Sequence, residues 1–430
     1  MQNILLIGAG KSATVLIDYL KGIITDNGWT LIVADADIHL AKVKVGNHPT
    51  AHAVELNILH EERRQALISQ ASIVISMMPP HLHEVIAKDC AAHGKHLLTA
   101  SYVAEGVKQF EKTIQQKGLL FLCEMGLDPG IDHMSSMEMI HDIHEKGGTI
   151  TSFKSHCGGL VAPESDDNPW HYKISWNPRN VVLAGKAGAT YKLNNEIIND
   201  KYEELFNHNN IVIINEKESY SYYANRDSLS YIPLYGLENA ATFLRTTLRH
   251  PDYCTGWKQV VDLNLTSEEK VYNTTGMSIA AFFETHFTKY PLPHDGSNAI
   301  VDKQFSFLGL NDHSTIINKG LCSAADIMQF ILEKKLAMQP ADKDMIVMLH
   351  EFEYELNGEK KQRRSLLKVI GEDALHTAMA KTVGLPLGIA AKLILEGKIK
   401  ETGLQIPVKP SIYKPVLEEL SLNGISFKDL

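Results

Sequence analysis

Short apolar runs alternate with amphipathic stretches along the first 130 residues. NILLIG (3–8), TLIVAD (30–35), AVEL (53–56), ASIVISMM (71–78), KHLLTASY (95–102) and LLFLCEM (119–125) read as strands. Segments between them, for example HEVIAKDCAAHG and EGVKQFEKTIQQKG, read as helices. Strands spaced by about 20 to 25 residues with amphipathic connections predict βαβ units and a parallel sheet. Continuous apolar strands suit a sheet covered on both faces.

Beyond residue 130 the pattern changes. TITSFKSH and NIVIIN are β-rich runs set among loops, whereas TGWKQVVDLN, MSIAAFFETHF and AADIMQFILEKKLAM have helical periodicity. DMIVMLHEFEYEL then reads as a strand with a partner in QRRSLLKVIG, returning to the middle sheet, and TVGLPLGIAAKLILEGKIK as a helix packing back on the first region. The expected fold class is α/β: a Rossmann-type parallel-sheet nucleotide domain, a mixed α/β substrate domain and a small helical domain. The expected boundaries are 1–130 plus about 378–430 for the first, 131–250 plus about 341–377 for the second, and 251–340 for the third.

Composition narrows the function. A chain of 430 residues that is 44% hydrophobic is too long for one core. Its net charge of −9 comes without a basic block, which argues against nucleic-acid binding. No uninterrupted apolar stretch of about 18 residues stands out, so no membrane span is expected. MQNILLIGAG lacks the basic lead-in and long apolar stretch of a secretory signal. The five cysteines, Cys90, Cys123, Cys157, Cys254 and Cys322, are scattered without a CxxC pair, as in a reduced cytoplasmic protein. The apolar share of 251–340 is compatible with a homodimer, although core packing is the simpler account. HLH (81–83), HGKH (93–96) and HDIH (141–144) have metal-like spacings but lie in different elements, and metal binding is not expected.

The first βα turn reads Gly8-Ala9-Gly10-Lys11-Ser12-Ala13, a G-x-G-x-x-A directly after a strand. Gly8 permits the tight turn, Gly10 lets backbone approach a pyrophosphate, and Ala13 allows close helix–strand packing. The helix N-terminus, with Lys11 and Ser12, then faces the phosphates. The letters GKS do not make a P-loop, whose first glycine would fall on Leu5. Strand two ends in Asp35, followed by Ala36 and Asp37. A carboxylate there accepts the adenosine ribose hydroxyls and repels a 2′-phosphate, so NAD is favoured over NADP; the bland alternative is that Asp35 caps the next helix.

GLDPGIDH (126–133) follows the sixth apolar run. If that run is a late parallel strand, its end lies on the cofactor side of the sheet, with Met77-Met78-Pro79-Pro80 and Ala100-Ser101-Tyr102 on the same edge. Asp128 is then the carboxylate nearest the nicotinamide, and Asp132 the cap of a helix beginning near Ile131.

The same octapeptide resembles the signature of the saccharopine dehydrogenase family of the L-glutamate-forming type. TASYVA (99–104), CGGLVAPESDDNPWHYKISWNPR (157–179), ANRDS (224–228), TLR (247–249), TVGLP (382–386) and ILEGKIK…GLQIP (394–407) have counterparts in the same order, so the resemblance spans almost the whole chain. It implies an oxidoreductase acting on the CH–NH bond of saccharopine, a small amino-acid substrate of lysine metabolism. The products are L-glutamate and 2-aminoadipate 6-semialdehyde, and the cofactor is NAD or NADP.

The resemblance further implies roles. Ser101 and Tyr102 lie between cofactor and substrate. Leu127, Asp128 and Pro129 line the nicotinamide, with Asp128 also touching the substrate amine. Arg226, Thr247, Leu248 and Arg249 contact substrate, the arginines clamping carboxylates. Asn57 and Ile58 stand where the family has an Asp-Val pair beside the adenine, Met78 follows strand four, and Asn177 replaces a cofactor-contacting serine. Asp128, Cys157 and Tyr102 are the expected catalytic groups, with His133 and His156 as further proton acceptors. Two rival readings remain: a carboxyspermidine-type reductase, which retention of both arginines disfavours, and a non-catalytic NAD(P)-binding regulator.

Overall fold

A computed structural model describes residues 2–206, 210–292 and 298–430. The chain divides into two compact units, Met1–Thr149 with Ser365–Leu430, and Ile150–Arg364.

In the first unit, β1 (Asn3–Ile7), β2 (Thr30–Asp35), β3 (Ala51–Glu55), β4 (Ile73–Ser76), β5 (His96–Thr99) and β6 (Leu120–Leu122) pair in parallel in the order β6-β5-β4-β1-β2-β3. They are joined by α1 (Thr14–Asn27), α2 (Ile38–Val45), α3 (Glu61–Gln70), α4 (His83–His93), and the short α5 (Glu105–Lys108) and α6 (Glu111–Gln116). Ile4 sits between Leu31 and Ile73 in register, and Leu5, Leu6 and Val74 are fully buried. Strand order reverses at β1 and β4, the crevice where α/β sheets take ligands. β6 ends three residues before the apolar run does. Cys123 to Gly130 form a turn into α7 (Ile131–Glu145).

The second unit holds β7 (Thr149–Val161), α8 (Pro178–Val182), β8 (Ala189–Leu193), β9 (Glu196–Asp200), α9 (Tyr202–Leu205), β10 (Asn210–Asn215), β11 (Glu218–Ala224) and β12 (Arg226–Asp227). There follow α10 (Ile232–Tyr235), β13 (Thr242–Arg249), α11 (Pro251–Asp262), β14 (Lys270–Asn273), α12 (Ile279–Phe287), α13 (Ala299–Leu308), β15 (Leu321–Ser323), α14 (Ala324–Lys335), β16 (Asp344–Leu356) and β17 (Glu359–Ile370). Its mixed sheet runs β10-β11-β13-β7-β16-β17, with β7 and β13 parallel. Where three domains were expected, helices α11 to α14 share one apolar cluster with Trp170, Tyr172, Tyr223 and Leu244. Trp257, Phe282, Phe283 and Phe305 from those helices fill it, so they form no core of their own.

The boundary between the units falls inside β17. Past it the chain re-enters the first unit: α15 (Ala378–Leu395) lies on α1, β18 (Gly403–Gln405) extends the parallel sheet beside β6, and α16 (Pro410–Leu422) follows. β19 (Lys428–Asp429) pairs with Ser365 and Leu366 of β17. By length and composition α15 would suffice to cross a membrane, but it is mostly buried, as a core helix is.

Candidate functional site

The glycine turn has the geometry its sequence implies. Gly8 has φ +103°, and a Cβ there would meet the Met77 backbone at 3.2 Å. At Gly10 an added Cβ would meet nothing within 4 Å, leaving open space at the start of the helical turn Lys11–Ala13 that leads into α1. Ala13 is buried, Lys11 is exposed and Ser12 half-buried. That room beside a helix N-terminus fits a pyrophosphate.

Asp35 holds the turn. Its Oδ2 accepts the Ala9 N–H at 2.6 Å and its Oδ1 accepts the Asp37 N–H at 2.8 Å. The cap of α2 is Asp37, which accepts from His39 and Leu40, so the capping alternative does not apply to Asp35. Lys44 of α2 donates to the Gly10 carbonyl at 2.6 Å. Burial pushes its ammonium down to about 8, against the pull of Asp35. After β3, the Asn57 side chain accepts from Leu59 at 3.0 Å, and the Ile58 carbonyl accepts from the buried Arg64, which also pairs with Asp89 at 2.6 Å.

The ends of β4, β5 and β6 bring the remaining first-unit candidates to the same edge. Met78 is half-buried after β4. Ser101 is fixed on several sides: its N–H donates to Thr99 Oγ1 (3.1 Å), its carbonyl accepts the Glu124 N–H (3.0 Å), and its hydroxyl lies 2.8 Å from His83 Nε2. The turn after β6 carries the cis Asp128–Pro129 peptide bond. Leu127 and Pro129 are buried and Asp128 half-buried; the Tyr102 hydroxyl stands 3.5 Å from Asp128 Oδ1, a long hydrogen bond.

Beneath this turn lies a buried polar cluster. Glu124, at φ +57°, places Oε2 2.8 Å from His133 Nε2 and accepts the Val103 N–H on Oε1 at 3.2 Å. Asp132 accepts the Gly130 N–H at 2.6 Å. His133 is fully enclosed and tied to Glu124, which makes it a brace of the turn more than a proton acceptor for substrate. Glu124 and His83 were missed in the sequence; a carboxylate breaking the apolar run at Glu124 was the available signal.

In the second unit, Cys157 on β7 lies opposite Thr247 on β13 and is buried. The neighbouring Gly158 permits this approach, since a Cβ there would come within 2.6 Å of Leu248. Arg249 ends β13 and is only 4% exposed. Its Nη1 donates to the Leu248 carbonyl at 2.8 Å, its guanidinium stacks 5.3 Å from the Tyr172 ring and 5.4 Å from Tyr253, and its Nε has no partner. No carboxylate among the described residues pairs with it. Burial opposes the charge, but a guanidinium is basic enough to stay protonated there.

Arg226 is placed differently: it is exposed, in β12, with φ +51°, a backbone state rare for a residue with a side chain. Asn177 is exposed and its side chain caps α8 by accepting from Arg179 and Asn180. His156 is buried between Thr246 (2.7 Å) and Glu351 (3.2 Å), and burial lowers its basicity. Among the described residues, His171, His250 and Asp252 have metal-like spacing, outside the three histidine stretches noted in the sequence. There the two imidazoles stack at 3.8 Å, His171 is held by Asp166, and His250 accepts the Asp252 N–H.

Two family models cover nearly all of this. One described as the saccharopine dehydrogenase NADP binding domain matches residues 4–122, and one described as the saccharopine dehydrogenase C-terminal domain matches residues 126–425. The chain belongs to the saccharopine dehydrogenase family. Alpha-aminoadipic semialdehyde synthase of Arabidopsis thaliana is 33% identical over 477 residues, covering 100% of this chain and 45% of that protein. The chain thus spans about half the length of the first such relatives. Saccharopine dehydrogenase [NADP(+), L-glutamate-forming] of Saccharomyces cerevisiae is 30% identical over 440 residues, covering 97% of this chain and 96% of that one. The solved apo structure of histidine-tagged saccharopine dehydrogenase (L-Glu forming) from the same yeast matches with a TM-score of 0.88 at 28% identity over 100% of both chains. The glycine turn of this saccharopine dehydrogenase family member lies within the residues that the NADP binding domain model matches.

Proposed function

We propose that the protein catalyses the reversible, NAD(P)-linked conversion of saccharopine and water into L-glutamate and 2-aminoadipate 6-semialdehyde. The observation that carries the reading is Arg249: a guanidinium buried among tyrosines without a carboxylate partner among the described residues is costly unless a ligand supplies the anion. Saccharopine offers three carboxylates. Arg226 and Thr247 belong to the same proposed substrate set, as does the backbone at Leu248.

When bound, the nicotinamide supplies the hydride acceptor. Asp128 balances the positive charge on the substrate nitrogen as the C=N bond forms, and Tyr102 orients Asp128 and shares its proton traffic. Water then adds to the C=N carbon; the C–N bond breaks, and the nitrogen takes a proton to leave as glutamate. Cys157 is the proposed proton carrier for that collapse. Leu127 and Pro129 exclude water from one face. Asn57 and Ile58 bound the adenine end, Gly8, Gly10, Lys11 and Ser12 hold the phosphates, Met78 and Ser101 flank the nicotinamide ribose and ring, and Asn177 borders the cofactor.

We further propose a preference for NAD(H), although the matched domain description and the yeast relative's name both carry NADP. Support comes from Asp35, whose carboxylate is fixed by two backbone N–H groups at the end of strand two, with Ala36 and not a cationic residue following it. The five cysteines are all free and buried, which supports the expected reducing compartment. The test is oxidation of NADH or NADPH with the semialdehyde, offered glutamate or a diamine. Turnover with glutamate is expected; turnover with the diamine alone would replace the substrate, and cofactor binding without turnover would leave a regulator.

A further inference from the structure

One histidine of HLH (81–83), noted in the sequence for its metal-like spacing, reaches the candidate active site. His83 opens α4 and is 2% exposed. Its Nδ1 lies 2.9 Å from Ser76 Oγ at the end of β4, and its Nε2 lies 2.8 Å from Ser101 Oγ and 3.1 Å from Thr99 Oγ1 at the end of β5. The ring therefore ties together the two strand ends that flank the reaction edge. Thr99 Oγ1 also accepts the Ser101 N–H, so backbone and hydroxyl of Ser101 are pinned by one interlocked set.

We propose that His83 is a positioning residue for the reaction: through Nε2 it fixes the hydroxyl of Ser101 in the orientation that cofactor and substrate meet. The proposal rests on the reading above that Ser101 lines both. A serine hydroxyl otherwise rotates among three staggered states, and only a partner within hydrogen-bond reach selects one. Thr99 accepts from the Ser101 backbone, and His83 is the side chain that meets the hydroxyl itself. Burial keeps the imidazole neutral, pushing it down to about 4 with His81 adding to the effect, so the tether does not break in the working pH range. With one N–H shared between two faces, the ring donates on one side and accepts on the other; which nitrogen holds the proton follows from the hydroxyls it meets.

The two nitrogens are separable by substitution. An asparagine amide reaches the position of Nδ1 and preserves the Ser76 side, whereas a glutamine amide reaches the position of Nε2 and preserves the Ser101 side. His83→Gln, His83→Asn, Ser101→Ala and the His83→Asn/Ser101→Ala double variant should be compared for kcat, KM and Tm in the full chain. Expected is a fall in kcat/KM of about tenfold for Ser101→Ala and for His83→Asn, near-normal values for His83→Gln at a Tm close to that of His83→Asn, and no further loss in the double variant. Equal activity of His83→Asn and His83→Gln, or losses that multiply in the double variant, would overturn the positioning role. Unchanged kinetics of Ser101→Ala would instead remove Ser101 from the site and the proposal with it, even if His83→Asn were impaired.

Discussion

The Tyr102 hydroxyl stands 3.5 Å from Asp128 Oδ1, at the outer limit of a hydrogen bond. Catalytic contacts of this kind tighten when substrate arrives. Asp128→Asn keeps the shape and removes the charge proposed to balance the forming iminium. It is expected to lower kcat/KM about 100-fold or more, in line with losses on removing a preorganised electrostatic group. Tyr102→Phe is expected to cost about tenfold. Steady-state kinetics in both directions check this; an Asp128→Asn enzyme within twofold of the parent would remove Asp128 from the chemistry.

Arg249 gives a prediction in which stability and activity part company. A buried charge with only one backbone acceptor does not help the fold. Arg249→Met is therefore expected to leave Tm unchanged or raised, while KM for saccharopine rises about 100-fold or more through loss of a charge-assisted carboxylate contact. Because the group stays protonated at any working pH, the Arg249 contribution to KM has no pH break of its own. A lowered Tm with unchanged KM would mark it as structural.

The first unit was legible because period and punctuation agree there: each apolar run of four to eight residues became a parallel strand, and the G-x-G-x-x-A turn sits after the first. Where the reading fell short, the cause is tertiary. β18 has only three residues, Gly403 to Gln405, with no β signal of its own, and forms because β6 offers a parallel edge. The helices after residue 250 were periodic enough to find, but that their apolar faces close on Tyr223 and Leu244 of the sheet and on Trp170 from a turn is not written in their periodicity. His83 looked like half of a poor metal motif. Its partners Ser76, Thr99 and Ser101 lie up to 18 residues away, and only strand order brings them to one ring.

Cofactor choice should depend on pH through Lys44. This ammonium, whose proton is lost near pH 8, is the cation drawn towards Asp35 and the Gly10 carbonyl. Below that pH it offsets the Asp35 charge that a 2′-phosphate would meet; above it, Asp35 stands alone. KM for NADPH is expected to rise relative to that for NADH as pH passes upward through 8, and Lys44→Met should flatten that change. Asp35→Ser should narrow the NADH preference by about tenfold, the scale of one like-charge contact in a half-exposed site. A parent enzyme that strongly favours NADPH at all pH values would overturn the assigned role of Asp35.

Helix α15 bears on the glycine turn as well as on stability. At Gly384 of α15 an added Cβ would lie 2.9 Å from Leu16 Cβ, 3.1 Å from the Leu16 nitrogen and 3.3 Å from the Ser12 carbonyl oxygen. Two of those atoms are backbone, one in the first turns of α1 and one in the helical turn before it, so the neighbour cannot simply swing aside. Inside a helix, glycine to alanine normally gains about 0.5 to 1 kcal/mol; overpacking costs about 1 to 3 kcal/mol. The clash is therefore expected to win, and Gly384→Ala should lower Tm. Because the displaced backbone includes Ser12 of the phosphate-facing turn, the variant should also gain less thermal stabilisation from saturating NADH than the parent does. A Gly388→Ala variant, whose new Cβ meets the Tyr19 ring and a Leu16 methyl instead of backbone, should lose stability while keeping the full increment from NADH. Equal increments for both variants would show that α15 supports the fold without reaching the cofactor.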